Sequence, residues 1–151
     1  MRRRPDEIIG GSEDPCLLRW HLWKRRRTGS GFLHLFLRDD DPRALHDHPW
    51  ASLSVVLRGG YFELTPAPDG TLERRWYGAG RVILRRDAAR PHRIELARDR
   101  DGGRRPCLTL FLTGPVVPQW GFHCPQGWVP WRRYVAPDRD SASGRIGRGC
   151  D

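Results

Sequence analysis

The sequence predicts an all-β fold, either two packed sheets or a closed barrel, and three observations carry that expectation. Short runs rich in Val, Leu, Phe, Tyr and Trp recur through residues 16–135. Gly, Pro and Asp interrupt them at intervals of about ten residues, the spacing of strands joined by turns. No stretch sustains the 3.6-residue apolar period of an amphipathic helix.

In chain order, strands are expected near residues 17–23, 32–38, 46–48, 52–58, 61–65, 72–77, 81–85, 92–97, 107–113, 121–123 and 129–134. Gly59-Gly60 reads as a tight hairpin turn, because a primed turn needs the positive φ that glycine adopts cheaply. Gly78-Ala79-Gly80 and the stretch from Asp99 to Gly103 read as further turns. Eleven short strands exceed what one open sheet accommodates, so closure into a barrel or sandwich follows.

The 151 residues suit a single domain. It is expected over residues 16–135, with 1–15 and 136–151 as flexible tails poor in apolar side chains. A net charge of +9 and a pI near 10.6 would ordinarily point to nucleic acid. Here only Lys24 among the 27 basic residues is a lysine, and the arginines are scattered, so the charge reads as a solvated Arg-rich surface. Nucleic acid is therefore not an expected partner. No apolar core follows the basic start, and no apolar run approaches the ~20 residues of a membrane span. A soluble, cytoplasmic protein is expected. Cys16, Cys107, Cys124 and Cys150 are widely spaced with no C-x-x-C pair and read as isolated reduced thiols.

The chemistry begins at Ala44-Leu45-His46-Asp47-His48-Pro49-Trp50. In an extended strand, residues i and i+2 share a face, so His46 and His48 present two imidazoles side by side. Neutral imidazole binds borderline divalent metals well, but two are rarely enough. His92, in Arg90-Pro91-His92-Arg93-Ile94-Glu95-Leu96, is the third candidate, on a face shared with Ile94 and Leu96. The competing reading of any one of them is a packed, hydrogen-bonded core histidine. Asp47 is expected to point away from its neighbours and to pair with an arginine.

This pattern resembles the two motifs of the cupin superfamily, small antiparallel β-barrels of jelly-roll (double-stranded β-helix) topology that hold one divalent metal. The first motif runs glycine, five residues, H-x-H, three or four residues, glutamate, six residues, glycine. His46 and His48 fit it, and Gly59 or Gly60 fits the closing glycine. Asp40 stands in place of the leading glycine, and Ser52 or Leu53 where the glutamate belongs. In the second motif His92 and nearby Gly80 fit, while Ala89 and Leu96 replace a glycine and an asparagine. The resemblance covers roughly residues 35–112.

The resemblance implies one divalent ion on His46, His48 and His92, with Fe(II) first and Zn, Mn or Ni as alternatives. Three neutral ligands leave about three positions open to water, dioxygen or a chelating substrate. A non-haem iron oxygenase acting on a small polar metabolite is the sharper expectation. A metal-dependent isomerase, epimerase or lyase is the alternative, and a non-catalytic small-molecule binder the third. A homodimer is expected.

Further candidates are less constrained. His34, between Phe32 and Phe36 in parity, points into the barrel or packs beneath it, and Glu63 either supplies a carboxylate or is a solvated strand residue. The aromatic-rich segment 118–131 reads as a lid, with His123 as acid or base and Trp120 at the substrate, or as a structural cover or dimer contact. A zinc site using His123 and Cys124 is disfavoured, since neighbouring strand residues face opposite ways. Arg58, Arg81 and Arg93 are candidates for a substrate carboxylate.

Overall fold

The computed structural model describes residues 3–25, 27–116, 119–135 and 147–150. Its elements are β1 (Glu7–Ile9), β2 (Leu17–Trp23), β3 (Ser30–Phe36), β4 (Leu45–His46), β5 (Ser52–Arg58), β6 (Gly60–Pro66) and β7 (Leu72–Gly78). They continue with β8 (Val82–Arg85), β9 (Arg93–Leu96), β10 (Cys107–Thr113), β11 (Gly121–Cys124), β12 (Gly127–Pro130) and a single helical turn, α1 (Trp131–Tyr134). A six-stranded sheet runs β1-β2-β3-β10-β5-β8, and two three-stranded sheets run β7-β6-β9 and β12-β11-β4. Every paired strand is antiparallel to its neighbour.

Strand parity divides the large sheet into two faces. Phe32 and His34 on β3, Thr109 and Phe111 on β10, and Ser54 and Val56 on β5 are buried, while Leu33, Leu35, Leu110, Leu53 and Val55 alternate with them on the outer face. The register sets His34 opposite Thr109, and Phe111 opposite Ser54. Val56, Ile83 and Cys107 from this sheet meet Tyr61, Ile94 and Leu96 from β6 and β9 in the buried core. Each large apolar side chain sealed there contributes about 1.5–3 kcal/mol.

The glycine corner differs from expectation. Gly59 has φ +77°, but β5 and β6 lie in different sheets, so it is a crossing between sheets and not a hairpin turn. The return from β7 to β8 crosses beside it, with Ala79 N–H donating to Gly59 O at 3.1 Å and Gly80 N–H to Val56 O at 2.8 Å. A Cβ on Gly59 would meet the carbonyl oxygen of Pro106.

Three further expectations are corrected. Residues 129–134 do not form one strand: β12 ends at Pro130, and α1 turns the fully buried Tyr134 onto Phe122, whose ring it stacks at 3.6 Å. The N-terminal stretch is not simply a tail, because β1 pairs with β2 and brings Glu7 opposite Arg19. Cys124 and Cys150 form a disulfide, whereas Cys16 and Cys107 are free thiols. Such a bond is favoured in oxidising compartments, against the expectation of four reduced thiols. The expected C-terminal tail lies outside the described residues except for 147–150. No helix among the described residues is long and apolar enough to cross a membrane.

Candidate metal centre

His46 ends β4, where it is held from both sides. Its backbone exchanges two hydrogen bonds with His92, N–H to O at 2.8 and 2.9 Å, and it pairs in register with Phe122 on β11. His48 follows two residues on, anchored by its N–H to Ala88 O at 3.0 Å. The three imidazoles consequently converge, with ring centroids 4.7–5.0 Å apart. One nitrogen from each lies within 4.8 Å of the others, the only such group of ligand-type side chains among the described residues. His48 Nε2 is 2.7 Å from His92 Nε2.

Glu63 fixes the tautomer at this contact. Its Oε1 accepts the His92 Nδ1 proton at 2.6 Å, which leaves the His92 Nε2 lone pair directed at the cluster. Glu63 is thus buried and engaged, not a solvated strand residue, and it also pairs with the partly buried Arg85 guanidinium. Burial, reinforced by Arg85 and the neighbouring imidazoles, holds the pKa of His92 well below the ordinary histidine value. Burial does the same for His48, followed by the effect of His46. Neutral imidazole is the ligating form.

Asp40 and Asp47 have roles the sequence did not reveal. Asp40 Oδ2 accepts Ile94 N–H at 2.7 Å and lies 3.8 Å from His46 Nδ1, with burial raising its pKa. Asp39 Oδ1 accepts Leu96 N–H at 2.7 Å, so the two aspartates act as a side-chain edge for β9. Asp47 does point away from its flanking histidines, but its partners are not arginines. Its carboxylate accepts from Gly121 N at 2.6 Å, His123 Nε2 at 2.9 Å and Trp128 Nε1 at 2.9 Å, clamping the β11–β12 hairpin to the H-x-H segment.

The cluster opens on a cavity of about 780 Å³. Trp50, Phe111, Trp120, Phe122 and Trp131 supply much of its apolar wall, and Arg19, Arg85, His34 and Asp40 its polar positions. Trp120 is one of its lining residues. His123 is not among the lining residues: it is turned to Asp47, with Phe122 of opposite parity facing the cavity. Cys124 is engaged in the disulfide. Arg58 and Arg81 are exposed and line no part of it, and Arg93 is tied to Pro42 O at 2.7 Å and to Glu95. The arginines that line the cavity are Arg19 and Arg85, whose inward parity follows from the strand register but is not marked by any motif. Pro118 lies outside the described residues.

No protein-family profile and no curated protein sequence matches the chain. Solved structures share its fold. A putative mannose-6-phosphate isomerase from Ralstonia eutropha JMP134 is similar with a TM-score of 0.53 and 17% identity, over 74% of this chain and 94% of that one. Oxalate decarboxylase from Bacillus subtilis gives 0.50 and 21%, over 80% of this chain. The Fe(II) form of HppE with an alternative substrate gives 0.50 and 17%, over 76%. The chain spans 30% of the decarboxylase and 59% of HppE. At these identities the likeness speaks for the fold. That fold is the double-stranded β-helix of the cupins, as the H-x-H and His92 pattern implied, and it carries a three-histidine cluster.

Proposed function

We propose that the chain is a non-haem, metal-dependent oxygenase acting on a small polar metabolite, with one divalent ion held by His46, His48 and His92. The observation that carries this reading is the convergence of three imidazoles, without a carboxylate in the cluster, on the wall of a roomy and largely apolar cavity. The donor set fits: three nitrogens suit Fe(II), Zn, Mn or Ni, and the Glu63 contact leaves His92 Nε2 free to ligate. Fe(II) is taken first, and HppE, which shares the fold, is known in that form. When bound, such an ion supplies Lewis acidity and open positions for dioxygen and a chelating substrate.

The chain's own contributions are positional. Glu63 orients His92, Arg85 balances the Glu63 charge, and Trp50, Phe111 and Phe122 keep bulk water from the cluster. A homodimer belongs to the same proposal, with the aliphatic outer face of the large sheet, where Val82 and Leu84 are 61% and 58% exposed, as the available surface.

One observation favours the second reading, an isomerase, epimerase or lyase. Asp40 is a partly buried carboxyl that lines the cavity beside His46, placed to take or return a substrate proton. Oxygen uptake across a panel of small hydroxy, keto and thiol acids, using protein reconstituted with Fe(II), separates the two. Iron-dependent uptake supports the oxygenase. Turnover without oxygen, using Mn, Ni or Zn, transfers the assignment to the second class.

A further inference from the structure

A second polar site faces the same cavity from the wall made by β2, β3, β10 and β5. His34 is 3% exposed and lies between two phenyl rings, stacked on Phe111 at 4.8 Å and on Phe32 at 5.7 Å. Its Nε2 accepts from Arg19 Nε at 2.9 Å. Arginine only donates, so the neutral ring carries its proton on Nδ1. Burial is the main reason the ring is neutral, with the nearby Arg19 charge acting in the same direction.

Nδ1–H has no protein partner among the described residues, yet it is not among the atoms sealed from solvent. For a residue this buried that lines the cavity, the space it faces is the cavity. Two more polar groups share that condition. Arg19 spends Nε on His34 and Nη1 on Glu7, leaving Nη2 without a protein partner among the described residues. Ser54, on the other side of Phe111, lines the cavity with its hydroxyl likewise unpartnered.

We infer that His34, Arg19 and Ser54 form an oxygen-binding subsite for the carboxylate of a small, apolar-bodied carboxylic acid. An imidazole N–H, a guanidinium N–H and a hydroxyl all donate, which matches an acceptor-only group. Charge around Glu7 agrees with a monoanion: its carboxylate is shared by Arg19, His21 and Lys24, so two permanent cations stand there against one carboxylate. Phe111 touches both His34 and His48, at 4.8 and 6.2 Å between ring centroids, so an acid anchored here extends its other end past that ring toward the three-histidine cluster. The subsite deepens the function proposed above by naming its substrate class, and it rests on that reading only for what the far end meets.

The test uses the whole chain, treated with chelator, and two probes of one shape, 3-phenylpropanoate and 3-phenylpropanol. Calorimetric titration should show the acid binding about tenfold or more tightly than the alcohol, the size of a charge-assisted hydrogen bond. His34→Phe, which keeps the stacking, should bring the acid down to the alcohol's affinity and leave the alcohol unchanged. In wild-type protein with ¹⁵N-labelled histidine, the acid but not the alcohol should move the His34 Nδ1–H resonance downfield, which keeps the test valid if His34→Phe misfolds. Equal affinity for the two probes, or an Nδ1–H signal indifferent to the acid, overturns the subsite. Acid selectivity in a chain that binds no metal would uphold the subsite while refuting the metal-dependent function. Metal binding without acid selectivity would refute the subsite alone.

Discussion

Glu63→Gln tests how the metal centre is held. Glu63 Oε1 takes the Nδ1 proton of His92 at 2.6 Å and also faces Arg85, and both Glu63 and His92 are buried. Glutamine keeps the shape and an acceptor oxygen but removes the charge that raises the basicity of His92. Loss of such an outer partner costs about 10–100-fold in metal affinity, or ~1.4–2.7 kcal/mol. The same substitution leaves the partly buried Arg85 cation without its counter-charge, and breaking a fully buried pair costs ~3–5 kcal/mol. The retained amide oxygen and the nearby Tyr61 place the expected loss at the lower end of that range. Chelator competition reads the first effect, and urea unfolding of metal-free protein reads the second. Unchanged metal affinity in a folded Glu63→Gln chain would refute the idea that this carboxylate orients His92.

Other perturbations report on other parts of the fold. His34, His48 and His92 have folded pKa values below the ordinary histidine value of 6.5, so the unfolded chain binds protons that the folded chain does not as pH falls through that value. Metal-free stability should therefore drop below about pH 6.5, each histidine contributing up to ~1.4 kcal/mol per pH unit, with the raised Asp40 opposing this at lower pH. A urea midpoint that stays level or rises from pH 7 to pH 5.5 would contradict the lowered pKa of these three histidines. Gly59→Ala combines positive φ with a clash at Pro106 and should cost more than ~1 kcal/mol, seen as a lower Tm; an unchanged Tm would contradict the strained corner. Thiol titration in denaturant without reductant should find two of the four cysteines reactive, Cys16 and Cys107, and four reactive thiols would contradict the Cys124–Cys150 bond.

Much of this architecture was legible because strand parity is a local property. The expected bounds at 17–23, 52–58 and 107–113 coincide with β2, β5 and β10, where apolar alternation is strong and turn residues flank the run. The three histidines were legible for the same reason, two by i, i+2 spacing and one by parity behind a proline. Pairing partners are a non-local property. Gly59-Gly60 looks identical as a hairpin turn and as a crossing between sheets, and only the tertiary arrangement distinguishes them. Likewise nothing local tells Glu63, which meets His92 from the next strand, from a solvated glutamate. Arg19 and Arg85 were lost among many arginines, whereas Arg58 and Arg93 attracted attention from positions that turn out not to line the cavity. Cys124 and Cys150 lie 26 residues apart with no spacing signature, so their bond was invisible.

Elemental analysis of the purified chain beside a His46→Ala/His92→Ala variant tests the central claim most directly. The account predicts close to one transition-metal ion per wild-type chain, and none in a double variant that keeps its β-sheet circular dichroism. A wild-type chain that takes up no Fe, Mn, Ni or Zn, or a folded double variant that retains its metal, would contradict it.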